Sequence, residues 1–194
     1  MNESNLVKVT GLCSMVGGLA WVAGCFVHNS LPQGCIDQGC VGHAMRGSSP
    51  ADTVLYLVAG LMLATSSLGL LLLARATSGL GRTGIAAGVA GGAGCLLLGA
   101  ASVVSAIDNN WSGMPGLVVP GVLLLAVGLV LVAWVVLRAR VLPTWTALLL
   151  LATALLVPFA NEQTSRILLA VPFGLTWLVA GAVLLRSERG LVTA

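Results

Sequence analysis

The chain has 194 residues, of which 58% are hydrophobic and only 8% charged, with a net charge of +3 and a mean hydropathy of +1.03. Soluble domains carry about a quarter charged residues, so this composition cannot cover a water-facing surface and points to a membrane protein. The basic residues form no run interleaved with aromatics, which excludes nucleic acid as a partner.

Apolar runs bounded by polar residues fall near 6–27, 53–74, 83–106, 117–137, 144–160 and 167–185. A helix of about 20 apolar residues crosses a hydrocarbon core. None of the runs has the period-two alternation of a barrel strand. The sequence therefore predicts an all-α fold, one membrane domain of six transmembrane helices over 1–194, with the fifth run the shortest.

The end of the first run opens the most chemically varied stretch, CFVHNSLPQGCIDQGCVGH (25–43). Three chemistries compete for it. His28, Cys35, Cys40 and His43 have the side chains of a two-Cys, two-His zinc site, although their spacing is not a familiar finger arrangement. Cys35 and Cys40 flank the short segment I-D-Q-G, where a disulfide would close a small ring in an oxidising compartment. Val22-Ala23-Gly24-Cys25 has the form of a lipobox, in which Cys25 would be acylated and the first helix removed. Of the three, the disulfide fits best, as a structural staple. A catalytic thiol pair would need C-x-x-C and a second dithiol.

Further along, hydroxyls within the apolar runs are the polar groups available to line a path for a solute: Thr65, Ser66 and Ser67 in the second run, Ser102 and Ser105 in the third, and Thr176 in the sixth. Such hydroxyls usually bond back to their own helix or bridge to a neighbour. The third run carries two rows of small residues, Gly84/Gly88/Gly92 and Gly91/Cys95/Gly99. Small residues at helical spacing let backbones approach closely, so these rows predict helix packing on more than one side and a central place for this helix. Gly17/Gly24, Gly121/Gly128 and Gly174/Gly181 form one stripe each in the first, fourth and sixth runs.

The segment LRARVLPTWTALLLL (137–151) is similar to a turn found in small bacterial multispan membrane proteins of unassigned activity: a basic helix end, then Pro, then Trp at the next interface. The resemblance covers about fifteen residues and implies no activity.

Orientation follows from the basic residues. Lys8, Arg75, Arg82, Arg138, Arg140, Arg186 and Arg189 all fall on one side of a six-helix topology, and only Arg46 and Arg166 on the other. Both termini are therefore expected in the cytoplasm, with the protein in the plasma membrane. The acids Glu3, Asp37, Asp52, Asp108, Glu162 and Glu188 all lie at run ends, in loops or in tails. Coupled ion transport usually leaves a charge inside the membrane, and none is expected here. There is no G-x-S-x-G elbow, H-E-x-x-H pair or phosphate loop either, so neither catalysis nor a cofactor is expected. The sequence thus favours a non-enzymatic subunit that assembles with other membrane proteins or with itself. The alternatives are a small transporter or channel for a neutral or apolar solute, and an outward-facing redox or metal-binding protein.

Overall fold

Each apolar run becomes a helix, because a backbone in hydrocarbon must satisfy its own N–H and C=O groups. The computed structural model describes residues 3–34, 46–78, 81–108 and 113–192. Its helices are α1 (Glu3–Asn29), α2 (Pro50–Ser78), α3 (Gly81–Ile107), α4 (Met114–Ala139), α5 (Thr144–Ala154) and α6 (Val171–Val192). Short 3-10 helices at Val157–Phe159 and Ser165–Ala170 lie between α5 and α6. The described residues contain no strand, and five to six helices are apolar enough to span a membrane.

The fifth run differs from expectation. It is helical only to Ala154, turns at Leu155 and Leu156, and continues as the 3-10 helix. Pro158 explains where it stops. Its ring clashes with the carbonyl four residues back, which belongs to Ala154, and it has no N–H to extend the helix. Eleven residues rise only about 16 Å, against a hydrocarbon core of about 30 Å. Pro172, in the first turn of α6, fits a helix start.

The most extensive helix pairs, α3 with α4, α1 with α2 and α1 with α6, are antiparallel. α1 lies between α2 and α6, while α4 packs mainly against α3 and touches α2 and α5. Leu70, Ala74, Val132, Val136, Ala147, Leu150, Trp177 and Leu184 bring α2, α4, α5 and α6 into one core. An edge-to-face aromatic series, Trp177–Phe173–Trp21–Tyr56–His28, runs from this core to one end of the bundle with centroid spacings of 6.1, 5.4, 5.7 and 6.1 Å. Such geometry adds to the area each ring buries.

In two helix pairs glycines bring backbone against backbone. Gly18 and Gly11 of α1 lie against Gly174 and Gly181 of α6; a methyl on Gly18, Gly174 or Gly181 would strike the opposing backbone, and one on Gly11 would strike Leu185. In the other pair, Gly94 and Gly91 of α3 face Gly121 and Gly128 of α4. Gly17 and Gly24 instead receive Leu63 and Tyr56 of α2. The central place expected for α3 is not observed, because α4 is its one extensive neighbour. Of the expected rows, Gly84 is buried and Gly91 meets Gly128, but Gly88, Gly92 and Gly99 meet nothing within 4 Å. They share an exposed face with Cys95. The repeat of four was visible in the sequence, but which row meets a neighbour depends on how α3 is rotated against α4.

Candidate functional site: a polar clasp at one end of the bundle

The most elaborate polar arrangement forms where α1 ends, α2 begins and the α5–α6 connection returns. It starts with a local signal. Ser49 caps α2, with Pro50 at its first position and Asp52 three residues after the cap. Asp52 Oδ1 accepts from Ser49 N at 2.7 Å, and Asp52 N donates to Ser49 Oγ at 3.2 Å. This reciprocal pair is a capping box, which satisfies donors that the first helical turn leaves open.

The other oxygen of Asp52 has a tertiary role. Oδ2 lies 2.6 Å from His28 Nδ1, in the last turn of α1, and the carboxylate is 1% exposed. His28 Nε2 lies 3.1 Å from the carbonyl of Glu162, so a ring donating from both nitrogens serves both oxygens. Removing one member of a buried pair leaves the other desolvated and alone. Asp52→Ala is therefore expected to cost about 3 kcal/mol of stability. A thermal double-mutant cycle with His28→Ala should show a coupling of about 1–3 kcal/mol, whereas additive losses would mean the contact is not formed.

Arg46 completes the clasp. It is 5% exposed, and its terminal nitrogens donate to the carbonyls of Asn29 (3.0 Å), Leu31 (2.7 Å), Glu162 (3.0 Å) and Thr164 (3.2 Å). Four of its five N–H donors are thus used, and only Nε is left without a partner. Asn29 ends α1, so the cation also sits at the negative end of that helix. Gln163 ties in the remaining strands of chain. Its carbonyl accepts from Gly34 N at 3.0 Å and its Oε1 from Arg46 N at 2.6 Å. One residue thereby holds Gly34 and Arg46, the described residues on either side of 35–45.

This arrangement answers the shortness of α5. Because that helix stops early, the chain from Ala160 to Thr164 is irregular at the bundle end, with carbonyls that no helix satisfies. Non-helical backbone near the membrane needs donors from the protein itself. Arg46 and His28 supply them. The polar side-chain atoms of the site bond mainly to other parts of the chain, with Arg46 Nε left over.

The candidate residues read from the sequence fall as follows. His28 is in the clasp, with both ring nitrogens engaged, while Cys35, Cys40 and His43 lie outside the described residues. No group of three His, Cys, Asp or Glu among the described residues stands close enough to hold a metal. Cys25 is fully buried beside Ile167 and Ala170, so acylating it would require that contact to open. Cys13, Cys25 and Cys95 are free thiols. Among the hydroxyls, Thr65 donates to Leu61 O at 2.8 Å and Thr176 to Pro172 O at 2.9 Å, both within their own helices. Ser66 bridges to Thr10 O of α1 at 3.2 Å, and Ser67 is half-buried. The side chains of Ser102 and Ser105 lie outside those described.

Sequence reasoning missed Ser49, Asp52, Arg46 and Gln163. The S-P-A-D cap was readable; the contacts of Arg46 with Glu162, Gln163 and Thr164, more than a hundred residues away, were not. No family model, curated protein or solved structure matches this chain.

Proposed function

We propose that this is a non-enzymatic, six-crossing protein of the plasma membrane with both termini in the cytoplasm, acting as a subunit or assembly partner of a larger membrane complex. The basic residues support the orientation, since Lys8, Arg75, Arg82, Arg138, Arg140, Arg186 and Arg189 share one side. The short α5 together with Val157–Phe159 makes the sixth crossing, with the clasp closing the bundle above it. The observation that carries the assembly reading is the state of α3. It adheres through one neighbour and leaves Gly88, Gly92 and Gly99 open about a quarter turn from that contact, at a spacing that lets another helix approach closely. The polar groups of the clasp, meanwhile, are spent on internal cohesion.

Cys95 lies on that open face and supplies the test. A thiol-anchored photo-crosslinker at Cys95, activated in the native membrane, is expected to capture a second polypeptide or a second copy of this chain. Gly88→Leu with Gly92→Leu should abolish the adduct without lowering stability, since Leu is a better helix former than Gly on an exposed helix face. Adducts with lipid alone would refute the proposal.

A further inference from the structure

The end of the bundle opposite the clasp carries a cationic surface. Arg75 near the end of α2, Arg82 in the first turn of α3, and Arg138 and Arg140 at the end of α4 are all exposed. The antiparallel register of Gly91 against Gly128 brings Arg82 level with the end of α4. From Thr53 to Asn161 the chain has a single acid, Asp108, which lies at the other end of α3. The acids at the cationic end, Glu3 and Glu188, belong to α1 and α6.

The turn after α4 has a more specific construction. Arg138 lies over the ring of Trp134, 5.6 Å from its centroid, so the guanidinium stacks on an exposed indole one turn below. Arg140 occupies the left-handed position that closes the helix, with φ 53°. Val141 N donates to Val136 O at 3.2 Å and Arg140 N to Leu137 O at 3.3 Å. Glycine is the usual residue there, because a side chain at that φ costs energy. The chain has glycine in abundance, yet it places an arginine at this position. Pro143 and the exposed Trp145 follow at the start of α5. Exposed indoles mark the depth of the headgroups, and both flank the two guanidinium groups.

We infer that this turn is a binding site for the phosphate of an anionic phospholipid, gripped by Arg138 and Arg140 with Arg75 and Arg82 strengthening the field. The guanidinium fork matches phosphate in a two-pronged geometry that an ammonium lacks. Trp134 and Trp145 pack beside the glycerol and upper acyl chain, which selects a lipid over a free anion. Each arginine near the membrane surface strengthens anionic-lipid binding by about fivefold.

The test uses the purified full chain, titrated with phosphatidylglycerol or with phosphatidylcholine, with bound lipids counted by native mass spectrometry. Phosphatidylglycerol is expected to bind in clear preference. Arg138→Gln with Arg140→Gly should weaken it about 25-fold, two arginines at about fivefold each. The thermal midpoint should not fall, because glycine relieves the left-handed position. Arg138→Lys with Arg140→Lys should recover part of the preference, and Arg166→Gln at the other end should leave it unchanged. Equal binding of the two lipids, or an unaltered preference in the Gln/Gly variant, would overturn the inference. So would displacement of the lipid by inorganic phosphate at equal concentration, which would make the site a simple anion site.

Discussion

Replacing Arg46 by Ala is expected to lower stability by about 3–5 kcal/mol. The guanidinium serves four carbonyls from two separate segments, and truncation takes the guanidinium donors from Asn29 and Leu31, while Glu162 O keeps only His28 Nε2 and Thr164 O only Ile167 N. Bonds to a charged donor are worth more than neutral ones, but such losses do not add, so the total stays well below four independent bonds. The damage should be local first. Limited proteolysis is expected to cut near 160–164 before the helices open, because α5 and its 3-10 continuation hold that segment only weakly. Arg46→Lys keeps the charge at the end of α1 but has three donors rather than five, so its loss should be roughly half as large. If Arg46→Ala melts within about 0.5 kcal/mol of the wild type, the four contacts are not what holds the end of the bundle.

Gly18→Val should be comparably severe, at about 3 kcal/mol or more, and for the opposite reason. Here nothing is removed. A Cβ on Gly18 would meet the carbonyl of Gly174 and the amide nitrogen of Leu178, and backbone cannot rotate aside as a side chain can. The same holds for Gly181, whose Cβ would meet the carbonyl of Gly11. Either substitution pushes α1 and α6 apart, which also strains the bond from Ser14 Oγ to Trp177 O, now 2.6 Å. Gly88→Ala is the control. It meets nothing within 4 Å and should gain up to about 1 kcal/mol from helix propensity. Thermal or denaturant unfolding of these variants in the same lipid disc checks the pair. Equal losses at Gly18 and Gly88 would mean that the α1–α6 contact is not close.

These two predictions also divide what could be read in the sequence from what could not. The helices were legible because hydrophobic length is a local property, and so was the marginal fifth run. Pro158 even marks where α5 ends, once its clash with the carbonyl of Ala154 is considered. The seven-residue glycine stripes of α4 and α6 were visible too, and both lie at close contacts. Their partners were harder to find. Gly11 and Gly18 stand among other small residues of α1, and only the docked helices distinguish them from Gly17 and Gly24 on the neighbouring face. On α3, spacing identified glycine rows but could not say which faced α4. The clasp was least accessible. Arg46 reads as an ordinary loop cation and Gln163 as a polar turn residue, and their roles appear only when the α5–α6 connection is laid against the end of α1. Asp52 lies between the two cases, since its capping box is local while its bond to His28 is tertiary.

The clasp and the open face of α3 have complementary consequences. One end of the bundle is tied by buried polar bonds, and the aromatic series from Trp177 to His28 makes α1, α2 and α6 a firm unit. The α3–α4 pair is held to that unit through α4, so α3 is the helix with surface to offer.

The most direct measurement is native mass spectrometry of the protein released in discs of its own membrane, without prior delipidation. Assembly predicts a species heavier than the chain by another polypeptide or by whole copies of itself, reduced to the bare chain by Gly88→Leu with Gly92→Leu. A wild-type chain that appears alone, carrying only lipid, would contradict the account.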